Sequence, residues 1–227
     1  MTEGVFFDLD GTLADTAPDL ARAANRLLSD HGCSPMALAD LRPYVSSGAR
    51  GMLKAAFGIS PEDPQFPALC EQFLAHYAAA LCVDTHLFEG MPELLEALEA
   101  AAIPWGIITN KQSRFTDPLV TALSLHARAC CVISGDTAAR AKPAPDPLLL
   151  ACERTGLSPG KCIYVGDDQR DIIAGKAAGM RTVAVAYGYL GVEHPIETWG
   201  ADAVVHSPAE LAQLIGLEHR VRDSIRT

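Results

Sequence analysis

The sequence predicts an α/β fold: a doubly wound, Rossmann-like parallel sheet with an α-helical domain inserted after the first strand. Three observations predict it. An apolar strand at residues 5–7 is followed by two acids and a Gly-Thr pair. Residues 15–83 then show the spacing of helices and few strand signals, whereas residues 91–215 alternate helices with apolar strands. Repeated strand–helix units imply parallel strands joined by right-handed crossovers.

We therefore predict a core α/β domain made of residues 1–14 and 84–217, with an inserted helical cap at residues 15–83. Residues 218–227 form a charged tail. The length of 227 residues allows an ample core for this division.

The cap opens with Thr16 and Asp19 at the spacing of a capping box, which predicts a helix that stops at Gly32. A second helical pattern covers residues 49–57. A third carries Phe73, Tyr77 and Leu81 on one face.

The core alternates elements of both kinds, and ligands of such sheets bind at the carboxyl ends of the strands. Strands are predicted at residues 103–109, 129–134, 162–167, 182–186 and 201–206, and helices at residues 92–102, 115–123, 147–155, 169–178 and 209–215.

Composition excludes several classes of partner. Hydrophobic residues make up 49% and charged residues 20%, which is ordinary for a soluble globular protein. The formal net charge of −10 argues against nucleic acid and anionic membranes as partners, because both require a basic surface. No secretory leader precedes Val5 and no apolar run reaches about 18 residues, so we expect a cytoplasmic protein, monomeric or homodimeric.

The first strand ends in Asp8 and Asp10. Alternation along a strand places both on the same side, roughly 6–7 Å apart at the backbone. Two such carboxylates repel each other and lose hydration unless a cation or proton joins them, and a hard divalent cation such as Mg²⁺ suits their oxygens. A strand that simply ends in a polar turn is the alternative for an isolated D-x-D pattern.

Two later strands also end in polar residues. Thr109, Asn110 and the following lysine offer a hydroxyl and main-chain N–H groups to a phosphate oxygen, although such a turn is also common at the surface. Lys142 precedes a proline-rich segment that holds it rigidly, so its ammonium could neutralise a phosphate and an attacking carboxylate. A solvated surface lysine is the alternative.

Asp167, Asp168 and Asp171 follow a third apolar strand. Three carboxylates within five positions, beside Asp8 and Asp10, again require a cation. Asp171 could instead favour the start of the following helix.

Four motifs, in the order D-x-D-G-T, T-N-K, K-P and G-D-D-x-x-D, are individually weak and jointly specific. Together they resemble the phosphatase branch of the haloacid dehalogenase superfamily over about residues 4–217. Within that branch, the chain is most similar to the phosphoglycolate phosphatases and the N-acetylmuramic acid 6-phosphate phosphatases.

The resemblance implies a role for each motif. Asp8 would be the nucleophile and Asp10 the acid and base, while Thr109, Asn110 and Lys142 would bind the phosphate. Mg²⁺ would be held by Asp8, Asp167 and the main-chain carbonyl of Asp10. Asp171 would support the metal water or the lysine. Asp168 stands where many relatives carry Ser, so its part as a direct metal ligand or a supporting residue stays open.

The implied activity is Mg²⁺-dependent hydrolysis of a small phosphomonoester through an aspartyl-phosphate, as in phosphoglycolate phosphatases. Hydrolysis of N-acetylmuramic acid 6-phosphate is the alternative, followed by a sugar-phosphate mutase and a non-catalytic phosphate-binding regulator. The dehalogenase and phosphonate-cleaving branches lack the second acid, and Asp10 argues against them.

The substrate is expected to carry a carboxylate. The cap segment around Gly48 and Arg50 offers N–H groups at a helix N-terminus and a guanidinium, which suits such an anion. An ordinary helix start with a solvated arginine is the alternative.

Overall fold

Six parallel strands form the central sheet of the computed structural model, which describes residues 2–191 and 194–217. The described residues form eight strands, six in this sheet and two in a separate ribbon. They are β1 (Gly4–Phe7), β2 (Ala14–Asp15), β3 (His86–Leu87), β4 (Trp105–Ile108), β5 (Val132–Ile133), β6 (Cys162–Gly166), β7 (Arg181–Val185) and β8 (Ala203–Val205). The sheet order is β5-β4-β1-β6-β7-β8, and β2 pairs with β3 in a separate antiparallel ribbon. The predicted α/β fold with a parallel sheet is confirmed.

Helices cover both faces of this sheet and form the inserted region. They are α1 (Ala17–Asp30), α2 (Leu38–Leu41), α3 (Gly48–Phe57), α4 (Phe66–Ala79), α5 (Met91–Ala100), α6 (Ser113–Ala122), α7 (Asp146–Thr155), α8 (Gln169–Ala177) and α9 (Pro208–Ile215), with a 3-10 helix at Arg42–Ser47. Side chains of α5, α6 and α9 join one buried cluster of the sheet, and those of α7 and α8 join the cluster on its other face. Among the described residues, no helix is both long and apolar enough to cross a membrane.

Strand β1 lies at the centre of the sheet and explains the apolar run that opens the chain. Its partners are β4 and β6, with Phe7 opposite Ile107 and Val165. Val5 and Phe7 pack into one cluster and Phe6 into the other, and all three are fully buried. A parallel strand buried on both faces needs apolar residues throughout, so the first polar side chain, Asp8, marks the edge of the sheet.

The cap helices enclose a third buried cluster. Helix α1 packs against α4, and the cluster includes Leu53, Phe73 and Tyr77. Phe115 and Tyr189 of the core also belong to it, so the cluster continues across the junction. The ribbon of β2 and β3 lies where the chain crosses between the two regions, while the division at residues 14 and 84 stays a prediction.

Several element boundaries differ from the sequence prediction. Helix α4 ends at Ala79, so Leu81 lies outside it, and β5 has two residues where six were predicted. Helix α2 and the 3-10 helix carry too few residues for a periodic apolar pattern to predict them. The predicted tail at residues 218–227 lies outside the described residues.

The predicted capping box at the start of α1 is wrong. Thr16 is the N-cap residue, but its side chain makes no capping hydrogen bond and donates instead to Asp10 Oδ1 at 2.5 Å. The buried Asp19 carboxylate accepts hydrogen bonds from the main-chain N–H groups of residues 83–85 and from the Thr85 hydroxyl. These donors have no strand or helix partner, and a buried carboxylate satisfies them together.

We expect Asp19→Ala to lower the free energy of unfolding by about 3 kcal/mol, because the buried N–H and hydroxyl of Thr85 and the two preceding N–H groups lose their acceptor at once. Urea denaturation measures this. Asp30→Ala on the same helix is the matched control, since Asp30 is exposed and its partners in the described part of the chain are Arg26 and His76, in surface ion pairs worth below about 1 kcal/mol. Equal losses in the two variants would contradict the role given to Asp19.

Candidate active site

The chain turns sharply just after Asp8. The Asp8 main-chain N–H donates to the Val165 carbonyl at 2.9 Å, which extends the pairing of β1 with β6 by one residue. Gly11 has a φ of +83°, and a Cβ there would lie 2.1 Å from Asp167 Oδ2. Glycine therefore serves both the left-handed backbone and the close approach of the turn to Asp167.

Carboxylates from two strand ends meet at this edge of the sheet. Asp8, Asp167 and Asp171 each offer an oxygen atom, and these atoms lie within 4.8 Å of one another. Asp167 and Asp171 are each 1% exposed. Burial, reinforced by Asp8 and Asp171, raises the pKa of Asp167 well above its usual value. A hard divalent cation fits this donor set, because it would neutralise carboxylates that otherwise repel.

Lys142 lies beneath the cluster. Its buried ammonium donates to Asp171 Oδ1 at 2.7 Å and lies 3.0 Å from Asp8 Oδ1. It also contacts the Tyr164 hydroxyl at 2.7 Å and the Ile108 carbonyl at 3.1 Å. Although burial lowers the pKa of Lys142, Asp171 and Asp8 outweigh it, so the pKa is raised and the group stays charged.

Asn110 positions Lys142. Its side-chain amide accepts from the Lys142 N–H and donates to the Lys142 carbonyl, both at 2.9 Å. The sequence predicted a substrate contact for Asn110, and the structure gives its amide this positioning role. Thr109 is 2% exposed, and its hydroxyl accepts from the Lys111 N–H at 3.2 Å.

The Asp10 carboxylate lies apart from the acidic cluster. It accepts from Lys111 Nζ at 2.9 and 3.0 Å and from the Thr16 hydroxyl. Lys111 was not singled out from the sequence, although it completes the T-N-K motif. Ligation of a metal by the main-chain carbonyl of Asp10 stays a prediction.

Asp171 contacts the lysine and also caps the following helix, while its support of a metal-bound water stays a prediction. One oxygen accepts from Lys142, and the other accepts from the Asp168 N–H at 3.1 Å in a capping box at the start of α8. Burial raises the pKa of Asp171 to about 7, and the Lys142 ammonium opposes that rise.

Asp168 is paired with Arg170 and does not join the acidic cluster. Its carboxylate accepts from Arg170 Nε and from an Arg170 terminal nitrogen, both at 2.8 Å. Burial acts to raise the pKa of Asp168, but these hydrogen bonds outweigh it and lower the pKa. Arg170 also donates to the Ser46 carbonyl at 2.6 Å, which joins the start of α8 to the cap.

Three donors lie near the Asp167 carboxylate. Thr12 Oγ1 donates to Oδ1 at 3.0 Å, and the Tyr189 N–H donates to Oδ2 at 2.9 Å. Ser46 of the cap lies 3.5 Å from Oδ2. No sequence pattern predicted these partners, because they come from distant parts of the chain.

A cavity of about 350 Å³ opens between this cluster and the cap. Asp8, Asp10, Thr109 and Lys142 line its core side. Its cap side is largely apolar and includes Leu20, Val45, Phe73 and Leu74, with Phe115 contributed by α6. Ser46, Ser47 and Tyr77 also line the cap side.

Gly48 lines this cavity, but Arg50 does not. Arg50 is exposed and lines a second cavity of about 520 Å³ on the outer side of α3. Two residues along a helix are rotated by about 200°, so Gly48 and Arg50 occupy opposite sides of α3. The expected gathering of both residues around one anion is therefore not seen.

A family model described as haloacid dehalogenase-like hydrolase matches residues 5–185. The chain belongs to this family. An N-acetylmuramic acid 6-phosphate phosphatase of Pseudomonas aeruginosa is 41% identical, over 94% of each chain. A phosphoglycolate phosphatase of Xanthomonas campestris is 44% identical, over 91% of this chain and 93% of its own.

Solved structures in this family have the same architecture. The crystal structure of a predicted phosphoglycolate phosphatase from Haemophilus somnus aligns with a TM-score of 0.82 at 28% identity, covering 94% of this chain and 98% of its own. A putative phosphoglycolate phosphatase from Lactobacillus delbrueckii gives a TM-score of 0.83 at 25% identity, covering 95% and 99%. The inserted helical region is thus part of what the chain shares with these structures.

If the acidic cluster binds a divalent cation, MgCl₂ at saturating concentration should raise Tm by a few degrees, because a ligand that binds only the folded state stabilises it. Differential scanning fluorimetry measures this without any substrate. Asp167→Asn should abolish the rise, whereas Asp136→Asn, an exposed carboxylate that accepts from Ser113, should retain it. A full rise in the Asp167 variant would show that the cation binds elsewhere.

Proposed function

We propose that this chain is a Mg²⁺-dependent phosphatase that hydrolyses a small, carboxylate-bearing phosphomonoester through an aspartyl-phosphate. One observation carries the proposal. Asp8 faces the cavity with one oxygen held by Lys142, while Asp10 lies in the same cavity on a separate set of donors. Two carboxylates in different surroundings suit the two roles of nucleophile and acid–base.

In the first step, an oxygen of Asp8 attacks phosphorus and the ester P–O bond breaks. Protonated Asp10 gives its proton to the departing oxygen, so the product leaves as an alcohol. The Lys142 ammonium, 3.0 Å from Asp8 Oδ1, orients the nucleophile and offsets its repulsion from the phosphate.

In the second step, Asp10 is a carboxylate and takes a proton from water, whose oxygen attacks the phosphorus of the aspartyl-phosphate. The bond between phosphorus and Asp8 breaks, which regenerates Asp8 and releases inorganic phosphate. Lys111 and the Thr16 hydroxyl hold the Asp10 carboxylate in place for this step.

Asp8 and Asp167, together with the main-chain carbonyl of Asp10, would hold Mg²⁺. The bound ion would offset the charge of the phosphate oxygens and allow the anionic nucleophile to approach. Asp171 would act through Lys142, from which it accepts a hydrogen bond.

Phosphoglycolate is the first substrate candidate, since several relatives carry that name. The cavity favours a second candidate, N-acetylmuramic acid 6-phosphate, after which another relative is named. A volume of about 350 Å³ exceeds the need of a two-carbon substrate, and the apolar cap wall suits acetyl and lactyl methyl groups. Release of inorganic phosphate from each compound compares the two.

We also propose that the protein works in the cytoplasm, as a monomer or homodimer. All seven cysteines are free, which suits a reducing compartment. The formal net charge of −10 disfavours binding to nucleic acid.

Asp8→Asn should abolish Mg²⁺-dependent release of phosphate from p-nitrophenyl phosphate, because an amide is a poor nucleophile at phosphorus. Circular dichroism should show an intact fold. Asp117→Asn, an exposed carboxylate on α6, is the control and should retain wild-type turnover. EDTA should abolish phosphate release by the wild-type enzyme, and added Mg²⁺ should restore it. Near-normal turnover by the Asp8 variant would refute the mechanism.

A further inference from the structure

Lys111 has donor capacity beyond its partner Asp10. It follows β4 in the core, and its side chain is 8% exposed and lines the cavity. Both Asp10 oxygens accept from its ammonium, which has three N–H donors. Beyond Asp10, its neighbour among the described residues is Tyr77, which attracts the ammonium but forms no hydrogen bond of normal geometry with it.

Tyr77 approaches the same ammonium from the cap. It lies on α4, is 2% exposed and also lines the cavity. Lys111 Nζ is 4.8 Å from the centre of its ring. Its hydroxyl is buried without a hydrogen-bond partner in the described part of the chain. Burial raises the pKa of Tyr77, so this hydroxyl is a neutral donor. A buried hydroxyl without a partner is costly unless a ligand supplies one.

The other two cations that line the cavity have different partners. Lys142 has four oxygen partners, which are Asp8, Asp171, Tyr164 and the Ile108 carbonyl. Arg170 uses Nε and one terminal nitrogen to bind Asp168 and the Ser46 carbonyl. Among the described cations of this cavity, Lys111 is the one that contacts Asp10, so it lies beside the position of the leaving oxygen.

The distance between Lys111 and Asp10 determines which substrate oxygen Lys111 and Tyr77 can contact. In the proposed reaction, the leaving oxygen lies within about 3 Å of Asp10. Lys111 Nζ lies 2.9–3.0 Å from the same carboxylate. An acceptor for Lys111 must therefore be close to the ester oxygen in the covalent structure. In phosphoglycolate, the carboxylate is attached to the ester carbon. In a hexose 6-phosphate, the ring oxygen holds the same O–C–C–O relation to the ester oxygen.

We propose that Lys111 and Tyr77 form the subsite that binds an oxygen on the second carbon from the phosphate ester, with a carboxylate bound best. This inference rests on the proposed phosphatase function and assigns substrate selection to these two residues in place of Arg50. The Lys111 ammonium also donates to Asp10, so the same group would bind the substrate and position the acid–base residue.

The test compares phosphoglycolate with ethyl phosphate, which has the same length and no oxygen on the second carbon. The measured quantity is the ratio of kcat/KM for the two substrates in wild type, Lys111→Met and Tyr77→Phe. Wild type should prefer phosphoglycolate strongly. Lys111→Met should reduce the ratio about ten- to a hundred-fold, which is the range of a charge-assisted hydrogen bond, and Tyr77→Phe should reduce it several-fold. Lys54→Met, which removes an exposed lysine of α3, is the matched control and should leave the ratio unchanged.

The ratio of kcat/KM for the two substrates distinguishes substrate binding by Lys111 from a role of Lys111 in positioning Asp10 alone. If Lys111 serves Asp10 alone, both substrates slow equally and the ratio stays at its wild-type value, which overturns the proposal. Wild-type enzyme without preference for phosphoglycolate also overturns it. Turnover of neither substrate, nor of p-nitrophenyl phosphate, would instead reject the proposed function. Tyr77→Phe removes one oxygen atom from a packed ring, so it provides the test even if Lys111→Met fails to fold.

Discussion

The ion pair of Lys142 with Asp8 and Asp171 is the interaction on which the polar edge of the sheet depends. A parallel strand buried on both faces allows no charge along its length, so the charges gather where β1 and β6 end. There the ammonium lies 3.0 Å from Asp8 and 2.7 Å from Asp171, with Tyr164 and the Ile108 carbonyl completing its shell. Loss of this one cation would leave two carboxylates uncompensated, and breaking such a buried pair costs about 3–5 kcal/mol.

The cap is tied to this edge by polar contacts that involve the reactive groups themselves. Arg170 reaches from the start of α8 to the Ser46 carbonyl, and Lys111 reaches from the end of β4 to Tyr77. The Tyr189 hydroxyl accepts from the N–H groups of Thr16 and Ala17 at the start of α1. The first two contacts start from segments that carry Asp167 and Lys111, and the third meets the start of α1, just after the turn that carries Asp8 and Asp10. The position of the cap and the geometry of the site therefore depend on each other.

Sequence patterns predicted the strand ends well, because a buried strand requires a run of apolar residues that is visible in the sequence. A run of apolar residues followed by an acid identified Asp8 and Asp167, and the proline segment identified Lys142. The choice of hydrogen-bond partner leaves no such trace. Thr16 and Asp19 have capping-box spacing, yet neither side chain caps the helix. The Thr16 hydroxyl donates to Asp10, and the Asp19 carboxylate accepts from the N–H groups of residues 83–85. Arg50 shares a segment with Gly48, but helical rotation directs it to the other side of α3. Lys111 was visible in its motif, and only the fold shows that Asp10 and Tyr77 surround it.

In the proposed mechanism, Asp8 carries the phosphoryl group during turnover. Acid quenching of the enzyme during hydrolysis of p-nitrophenyl phosphate, followed by borohydride reduction and peptide mass spectrometry, tests it directly. Reduction converts an aspartyl-phosphate into homoserine, and we predict homoserine at position 8 in samples that contain both substrate and Mg²⁺. Homoserine at Asp10 or at another acid, or none at all while phosphate is being released, would contradict the account.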